Sequence, residues 1–473
     1  MYESERFRQE LHELIRVIWT ASETCYEEYR SAAALIESLQ AHGYRAEAGT
    51  AGIPTAFTAE YGSGLPLIGL LAEYDALDGL SQKADMTEPC PRPETTHGHG
   101  CGHHLIGAGI VGAALVLKDW IDAHPGTGTV RVIGCPAEEG GAAKTFMARE
   151  GVFDDLDIAL TWHPSTINAA MTGSMLANIM AVFRFHGKPS HAGAAPQKGR
   201  SALDAVELMN VGVNYLREHM EMTDRVHYAI SNTGGVSPNV VQSEAEVIYL
   251  TRSRTNESAK ALFERVVNIA RGAALMTETT MDYSIRNALS NVVPSDTLGQ
   301  LLYDKMNEVG LPRYDDEDRA YIARFREILG EEEGNRDAGL LPEFDMDERY
   351  RLCSTHPMGD FILPFEPKDV VVTASSDMGD VSRIAPLLQL QCACFCLGTQ
   401  PHSWAQVAQG LSSYAEKGTL FAAQVLAEAV KTLLSDPALV EKAKAENVRR
   451  NEGNPYTCPI PPDVLPPCST QKQ

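Results

Sequence analysis

The sequence predicts an α/β protein built around a mainly parallel β-sheet, with a smaller unit inserted into it. Buried-strand patterns alternate with helical patterns in the first part of the chain, and the order of these patterns changes near residue 180. The length of 473 residues exceeds what one hydrophobic core normally organises, so two or three domains are expected.

Three buried strands and one helix are predicted in the first part of the chain. The strands cover residues 66–75, 129–135 and 157–162, and the helix covers residues 105–120. Strands separated by helices pair in parallel and are covered by helices on both faces. Asp75, Glu138, Glu139 and His163 stand where these strands end. Ligands bind at the carboxyl ends of strands in such sheets, so we expect these side chains to share one site.

A different order of elements follows residue 180. Strands are predicted at 180–186, 226–231, 245–251 and 279–285, with helices over 201–209 and 257–276. The order β-α-β-β-α-β is that of a ferredoxin-like unit. The sequence thus predicts an inserted domain at 181–290 and a discontinuous larger domain made of 1–180 and 291–473.

The larger domain resumes after about residue 290. A helix at 298–309, strands at 369–373 and 389–397, and a helix at 414–434 are predicted there. The charged stretch 313–357 is typical of a surface insertion, and the proline-rich stretch 455–467 of an extended surface segment. The alternation in Leu388–Cys394 fits a strand whose even-numbered residues share one face, which makes Cys392 and Cys394 buried apolar residues rather than metal ligands.

Composition limits the classes of partner. The formal net charge of −23 argues against nucleic acid and against an anionic membrane surface. The charged, helical start is unlike a secretory signal, and no uninterrupted apolar run reaches membrane-spanning length. The ten cysteines are scattered, unlike a disulfide framework. We expect a cytoplasmic protein.

The stretch 97–104 holds four histidines and one cysteine, with glycine at positions 98, 100 and 102. Imidazole and thiolate are ligands of transition metals. Cys101 and His103 are two residues apart, so in an extended segment both side chains point the same way. The glycines let the backbone and a metal approach closely. The roles of His97, His99 and His104 stay open.

Further donors stand in distant parts of the chain at Glu139, His163 and His402. This mixture of sulfur, nitrogen and oxygen differs from a closed structural zinc site and favours an open catalytic site with two metals that share a water. Cys101 is the candidate for the bridging anion, because it is the soft anionic ligand of the histidine-rich stretch.

Two more carboxylates are expected to support this centre. Asp75 is suited to accept the far N–H of a ligand histidine, with His103 as the expected partner. Glu138 precedes the candidate ligand Glu139, and it is suited to take a proton from an activated water and return it to a leaving amine.

The chain resembles the di-metal aminoacylase and carboxypeptidase superfamily, and within it the amidohydrolase branch that carries an H-x-C-G-H motif and includes auxin-conjugate amidohydrolases. That motif is here His99–His103. Supporting motifs stand at 134–141, 187–193, 375–382 and 458–464, so the resemblance spans nearly the whole chain.

The resemblance implies a catalytic metallohydrolase domain interrupted by a lid domain that also dimerises. It implies two divalent ions, zinc or manganese, and hydrolysis of the amide bond of an N-acyl amino acid such as p-aminobenzoyl-glutamate. The matching positions are Cys101, His103, Glu139, His163 and His402 as metal ligands and Glu138 as acid and base. His191 resembles a lid histidine that reaches the partner subunit's site to stabilise the oxyanion. Asn239 resembles a substrate-holding lid residue, and Arg252 an arginine that clamps the substrate carboxylate.

Three alternatives remain beside this reading. The substrate can be a dipeptide or another acyl amino acid, because the sequence does not describe the acyl pocket. The chain can also be a non-catalytic subunit that works with a homologous second chain instead of forming a homodimer. A cysteine nucleophile at Cys101 is a third, weaker alternative.

Overall fold

The computed structural model describes residues 4–171, 173–329, 351–352, 354–368 and 370–468. Its helices, in chain order from α1 to α12, are Glu5–Ala21, Tyr29–Ala41, His103–Ala123, Ala143–Arg149, Ala202–Leu216, Asn256–Thr277, Asp296–Val309, Asp316–Leu329, Met378–Ile384, Trp404–Gln409, Ser413–Ser435 and Pro437–Arg450. Its strands, from β1 to β13, are Arg45–Ala48, Phe57–Ser63, Leu67–Ala72, Gly128–Gly134, Ile158–Ser165, Ala169–Ala170, Ser174–Met175, Ala177–His186, Arg225–Asn232, Glu244–Ser253, Thr280–Leu289, Val371–Val372 and Leu387–Ala393.

A seven-stranded sheet in the order β1-β2-β4-β3-β5-β13-β6 forms the centre of the larger unit. The neighbours β4, β3, β5 and β13 run parallel, as the alternation of strands and helices predicts. The fold is therefore α/β. The four parallel strands bring their carboxyl ends to one edge, where the candidate site lies.

The prediction of a mainly parallel sheet is wrong at the edges. β1 pairs antiparallel with β2, β2 with β4, and β6 with β13, so the sheet is mixed. Antiparallel neighbours need only short connections, whereas a parallel pair needs a crossover. No helix separates β1 from β2 or β5 from β6 in the described residues beyond one short 3-10 turn, which accounts for this pairing.

Helix α3 is the central helix of the larger unit and packs against α1 and α11. On length and composition alone it is apolar enough to cross a membrane, but 83% of its most apolar window is buried inside the protein. Gly109 allows close packing on β5, since a Cβ there would stand 2.7 Å from Trp162 Nε1. The apolar character of α3 is thus explained by its place in the core, and the cytoplasmic location stays a prediction.

The second sheet has the order β11-β8-β10-β9, with every neighbouring pair antiparallel. Its elements follow the predicted order β8-α5-β9-β10-α6-β11. Helices α5 and α6 pack on each other and against β8 and β10, which covers one face of the sheet. The first strand starts at Ala177, slightly before the predicted boundary.

Two predictions for the last third of the chain need correction. The strand expected at 369–373 is reduced to β12, which pairs with β7 rather than with the main sheet. The stretch 313–357 is not purely a surface insertion, because α8 buries Ile322 and Phe325 beside Tyr414. Residues 330–350 lie outside the described part of the chain.

The proline-rich stretch near the end has no helix or strand over 455–467 in the described chain. Ile460 of this stretch is buried in a hydrophobic cluster that also contains Phe146 and Phe183. Cys392 and Cys394 are fully buried, as predicted. The strand predicted at 389–397 is β13, which ends at Ala393, so Cys394 lies just beyond it.

Candidate metal centre

The candidate residues are placed by consecutive strands at the carboxyl edge of the main sheet. Asp75 lies three residues beyond β3, and Glu138–Glu139 follow β4. His163 lies inside β5, which continues to Ser165 and is longer than predicted. Because β4, β3 and β5 are neighbours, their ends deliver these side chains to one place.

Six side chains from distant positions come together there. Potential ligand atoms lie within 4.8 Å of one another in three overlapping groups, which together contain Cys101, His103, Glu138, Glu139, His163 and His402. Cys101 and Glu139 each belong to two groups, so the groups adjoin. The spatial convergence that the sequence predicts for its five candidate ligands is present.

His103 is held in one orientation by the carboxylate predicted to contact it. Its Nδ1 donates to Asp75 Oδ1 at 2.8 Å, and Asp75 Oδ2 accepts from the backbone N–H of Glu139 at 2.9 Å. The opposite ring atom, His103 Nε2, is buried and has no hydrogen-bond partner among the described residues. A buried, unpartnered imidazole nitrogen beside a thiol and carboxylates suits a metal ligand.

The other two imidazoles also present Nε2 to the cluster. His163 Nδ1 donates to the Pro164 carbonyl at 2.8 Å, and its Nε2 lies 3.4 Å from Cys101 Sγ. His402 Nε2 lies 3.1 Å from Glu139 Oε1. His402 has a φ of 54°, and its backbone N–H donates to the Gly100 carbonyl at 2.9 Å, which ties its loop to the histidine-rich stretch.

The electrostatics of the cluster favour an ionised thiolate. Burial opposes ionisation of Cys101, but the imidazoles of His103 and His163 outweigh it and hold the pKa of the thiol well below its usual range. Contacts with Cys101 and Glu139 raise the pKa of His402 to about 10. The chemistry of the donors, with sulfur, imidazole and carboxylate in one group, fits divalent transition metals.

The turn that carries Glu138 and Glu139 is held in place by the buried carboxylate of Glu28. Ala137 has a φ of 54°, an uncommon backbone conformation for a residue with a Cβ. Glu28 Oε1 accepts from the backbone N–H groups of Ala137 at 3.0 Å and of Tyr26 at 2.8 Å. These bonds fix the strained turn and hence the direction in which Glu138 leaves the strand.

The histidines whose roles stayed open point away from the cluster. His99 Nε2 contacts the Ile18 carbonyl at 3.0 Å, and His104 Nε2 contacts the Gly410 carbonyl at 2.9 Å. His97 lies near Asp78 at 2.9 Å on the surface. Gly98 of this stretch is required for close packing, because a Cβ on it would stand 2.1 Å from the Leu80 carbonyl oxygen.

A buried charge network, which the sequence does not predict, lies beside Glu138. Lys144 Nζ lies 2.7 Å from Glu73 Oε1 and 2.6 Å from Asp377 Oδ1, and all three side chains are buried. Glu73 Oε2 lies 3.6 Å from His103 Nε2, so the network touches the cluster. Burial raises the pKa of Glu138 well above its usual range, and the carboxylates of Glu73 and Asp377 raise it further.

One of these residues could have been found from the sequence. Glu73 is two residues before Asp75, the spacing that relates Cys101 to His103, so both side chains face the same way in extended backbone. Lys144 carries no comparable pattern, since a lysine in a short helix normally faces solvent.

A cavity of about 640 Å³, which we call the arginine cavity, extends from the cluster to the second sheet. Glu138, His163, Arg225 and Arg252 line it. Arg252 Nη1 donates to Ser375 Oγ at 2.8 Å and leaves part of its guanidinium for another partner. The cavity thus places a cation opposite the candidate metal ligands.

Two predicted site residues lie elsewhere in the same chain. His191 and Asn239 are exposed neighbours on the second unit, since the Asn239 carbonyl accepts from the N–H of Ala192 at 3.0 Å. Neither lines the arginine cavity. The backbone N–H groups of Gly193 and Ala194 donate to His191 Nδ1 at 3.2 and 3.1 Å, which leaves the proton on Nε2, facing outward.

Comparison with known proteins agrees with this geometry. The pattern of the peptidase family M20/M25/M40 matches residues 69–431. The chain is 41% identical over 465 residues to a p-aminobenzoyl-glutamate hydrolase subunit of Escherichia coli (strain K12), covering 98% of this chain and 97% of the relative. It is 34% identical over 316 residues to the Xaa-Arg dipeptidase of Mus musculus, covering 64% of this chain and 69% of the relative.

Among solved structures, a Bacillus subtilis protein described as a dinuclear metal binding peptidase from the M20 family has a similar fold. The TM-score is 0.55 at 16% identity, over 91% of this chain and 99% of that chain. At this identity the similarity concerns the fold alone. It confirms an α/β architecture over nearly the whole chain, and the resemblance stated from the motifs is confirmed by the family match.

Proposed function

Because this chain belongs to the peptidase family M20/M25/M40 and is a hydrolase of amide bonds, we propose that it cleaves an N-acyl amino acid such as p-aminobenzoyl-glutamate. The observation that carries the proposal is the convergence of Cys101, His103, Glu139, His163 and His402 at one sheet edge. The relative that matches nearly the full chain supports the substrate class through its name.

These five residues would hold two divalent ions, which we propose to be zinc or manganese. When bound, such ions polarise a carbonyl and lower the pKa of a water molecule. The support comes from the mixed donor set and from the unpartnered Nε2 of His103. Asp75 is proposed to position two of these ligands, because its carboxylate is hydrogen-bonded to the ring of His103 and to the backbone N–H of Glu139.

Glu138 is proposed to be the general base and acid. It belongs to a group of potential ligand atoms with His103 and Glu139, within 4.8 Å, so its carboxylate is close to where a water would sit. It takes a proton from that water and donates it to the nitrogen of the leaving amino acid.

Arg252 is proposed to bind the carboxylate of the amino-acid half. Its guanidinium lines the arginine cavity together with the metal ligands, and a guanidinium can bind a carboxylate through two parallel hydrogen bonds. This places the leaving amine between Arg252 and Glu138.

Residues 181–290 are proposed to form an inserted, ferredoxin-like lid domain, with 1–180 and 291–473 as the catalytic domain. The lid is also the proposed dimer contact. Strand β9 is an edge strand whose Tyr228 and Ile230 are exposed, and Tyr215 of α5 is 77% exposed. An unpaired edge strand with apolar side chains is suited to pair with a second copy.

The dimer gives His191 and Asn239 a role. Both are exposed on the lid and lie away from the cavity of their own chain, so we propose that they complete the partner subunit's site. The outward N–H of His191 Nε2 is a donor for a developing oxyanion. A homologous second chain is the alternative partner, since the Escherichia coli relative is named as a subunit.

A metal experiment tests the proposed function. Chelator-treated protein is expected to lose hydrolysis of p-aminobenzoyl-glutamate, and added zinc or manganese is expected to restore it. Dipeptides ending in arginine are tested in parallel, because the Mus musculus relative is a dipeptidase. Retention of full activity without metal, or no hydrolysis of any acyl amino acid or dipeptide by metal-loaded protein, would overturn the proposal.

A mixing experiment tests the partner role of His191 separately. Glu138→Gln and His191→Ala chains are each expected to be nearly inactive. Mixed dimers contain one complete site, so random exchange is expected to restore up to about a quarter of the wild-type activity. No recovery, despite exchange of subunits seen by mass measurement, would place His191 outside the partner's site.

A further inference from the structure

One wall of the arginine cavity is formed by the four-stranded sheet. Each of its strands contributes to this wall, through residues such as Arg225, Arg252, Met180 and Asn287. Helices α5 and α6 pack on the sheet and cover one of its faces. Phe183 of β8 points to that covered face, because it is fully buried and contacts the ring of Phe263 in α6. The cavity therefore lies on the opposite face of the sheet.

A β-bulge turns Asn287 of β11 toward the cavity. Before the bulge, Ile285 is paired with Ala181, and both belong to the hydrophobic cluster beneath the helices. Regular alternation would put Asn287 on the same face as Ile285. The register shifts between these two residues, however, and Asn287 is paired with Met180, a residue of the cavity wall. Arg286 is the extra residue, and the bulge moves Asn287 from the helix face to the cavity face.

The two residues that follow Asn287 obey the new alternation. Ala288 is fully buried in the hydrophobic cluster that also contains Phe263, whereas Leu289 lines the arginine cavity. Bulges are over-represented next to active sites, where they redirect a side chain. The place of Asn287 in the cavity thus follows from the path of the strand itself.

The side-chain amide of Asn287 is held in one orientation. Its Nδ2 donates to the Gly140 carbonyl at 2.6 Å, and a carbonyl can only accept, so the opposite atom of the amide is the acceptor Oδ1. No described residue donates to this oxygen. Asn287 is 7% exposed and lines the cavity, and its Oδ1 is not enclosed by the protein, unlike Asn178 Oδ1 on the same wall. Asn287 Oδ1 is therefore a fixed, accessible acceptor.

Asn287 lies between the residues that are proposed to act on the two sides of the leaving nitrogen. Gly140 directly follows Glu138 and Glu139, so its hydrogen bond holds Asn287 beside the proposed acid and base. Arg252 lies two strands away, about 10 Å across the same wall, with a long side chain in the same cavity. The leaving nitrogen shares its Cα with the carboxylate that Arg252 would bind. It is therefore expected next to Asn287.

We propose that Asn287 is a substrate-binding residue whose Oδ1 accepts the N–H of the scissile amide, which makes the site selective for amides over esters. This hydrogen bond turns the nitrogen so that its lone pair points to Glu138, which donates the proton. The C–N bond then breaks with its electron pair on the nitrogen. Protonation makes the N–H a stronger donor, so the bond to Asn287 strengthens in this step. The inference rests on the proposed hydrolysis of N-acyl amino acids.

The test compares an amide with the matching ester. The substrates are p-aminobenzoyl-glutamate and the ester of p-aminobenzoic acid with 2-hydroxyglutarate, in which an oxygen replaces the N–H. In metal-loaded Asn287→Ala, the ratio of amide to ester kcat/KM is expected to fall about tenfold from wild type, because the ester has no proton to donate to Oδ1 in either protein. Asn268→Ala, on the exposed side of α6, is the matched control and is expected to keep the wild-type ratio.

A second variant, Asn287→Asp, separates the two ends of the side chain. Aspartate keeps an oxygen acceptor but lacks the N–H that binds the Gly140 carbonyl. Both substrates are therefore expected to be cleaved more slowly, with an amide-to-ester ratio closer to wild type than to Asn287→Ala. If wild type does not cleave the ester, the ratio of its inhibition constant to the KM of the amide is measured instead, and it is expected to fall by the same factor in Asn287→Ala.

The ratio of two substrates on one protein sample is independent of partial unfolding. A purely structural role, in which Asn287 only holds the turn at Gly140, would slow the amide and the ester equally. An unchanged ratio in Asn287→Ala, or an equally low ratio in Asn287→Asp, would therefore overturn the inference while the proposed function stands. Absence of amide hydrolysis by metal-loaded wild type would overturn both.

Discussion

The two sheets of this protein treat ionisable side chains in opposite ways. At the carboxyl edge of the seven-stranded sheet, Glu73, Lys144 and Asp377 form a network in which no residue is more than 3% exposed. On the four-stranded sheet, Arg184 contacts Glu246 and Asp282, with side-chain exposures from 23% to 57%. Both are networks of alternating charge, but only the first excludes water.

This difference determines what each network can do. Charges in a water-free environment interact strongly and shift one another's pKa, whereas exposed pairs are screened and contribute little. The raised pKa of Asp377, about 6, follows from burial, which the nearby ammonium of Lys144 only partly offsets. Burial, more than the number of charges, therefore determines whether a charge network can shift the pKa of its members.

The largest effect is expected for the half-buried Glu138. Glu138→Gln keeps the shape but cannot move the proton, so kcat is expected to fall by about 10²–10⁴-fold. Steady-state kinetics measure the loss, and metal analysis is expected to show an unchanged metal content. Glu264→Gln, on the exposed side of α6, is the control. Full activity in Glu138→Gln would remove Glu138 from the mechanism.

The next effect concerns stability. Lys144→Met leaves Glu73 and Asp377 buried without their cation, and the free energy of unfolding is expected to fall by about 3–5 kcal/mol. Arg184→Met removes the corresponding cation from the exposed network and is expected to change it by less than about 1 kcal/mol. Denaturant titrations of both variants check this. Equal losses would mean that burial does not distinguish the two networks.

A smaller effect, on metal affinity, is expected for Asp75, which positions the proposed metal ligands. Asp75→Asn weakens the hold on His103 and on the Glu139 backbone, and metal affinity is expected to fall about 10–100-fold. Competition with a chelator of known affinity measures the change. Asp78→Asn, beside the outward-facing His97, is the matched control and is expected to retain wild-type affinity.

The smallest effect is expected on the exposed sheet. A hydrogen bond to Asp282 raises the pKa of His186, burial opposes the rise, and Glu244 adds to it. The stabilisation by protonated His186 is therefore fully present below the unfolded pKa of about 6.5 and is lost as pH rises through the higher folded pKa. With solvent screening, it is expected to stay below about 1 kcal/mol. Unfolding at pH 5.5 and pH 9 in wild type and His186→Gln measures it, and an opposite sign would contradict the assignment.

Much of the fold followed from periodicity. The strands around residues 66–75, 129–135 and 157–162 and the helix after His103 were predictable, because buried parallel strands are short apolar runs between helices. The antiparallel edges were not, since strand direction depends on the path of loops that carry no hydrophobic pattern. Helix α8 was hidden because its many charges surround the few residues it buries, Ile322 and Phe325.

Part of the candidate site could likewise be predicted from the sequence. Cys101 and His103 stand in a stretch dense in histidine, and His163 stands where a predicted strand ends, so their chemistry indicated a shared metal site. Lys144 could not be predicted as part of the site, because lysine is ordinarily a surface residue. Its importance comes from burial, which depends on the tertiary structure and not on the local sequence.

His103 is the first residue of α3, the helix around which the larger unit is packed. The same short stretch thus belongs both to the reaction centre and to the central helix, so an ion held there would bind the native chain in preference to the unfolded one. Occupancy and thermal resistance would then be two readouts of one equilibrium, with the melting temperature rising as free ion concentration rises. A cell short of the ion would have a less durable protein as well as a slower one.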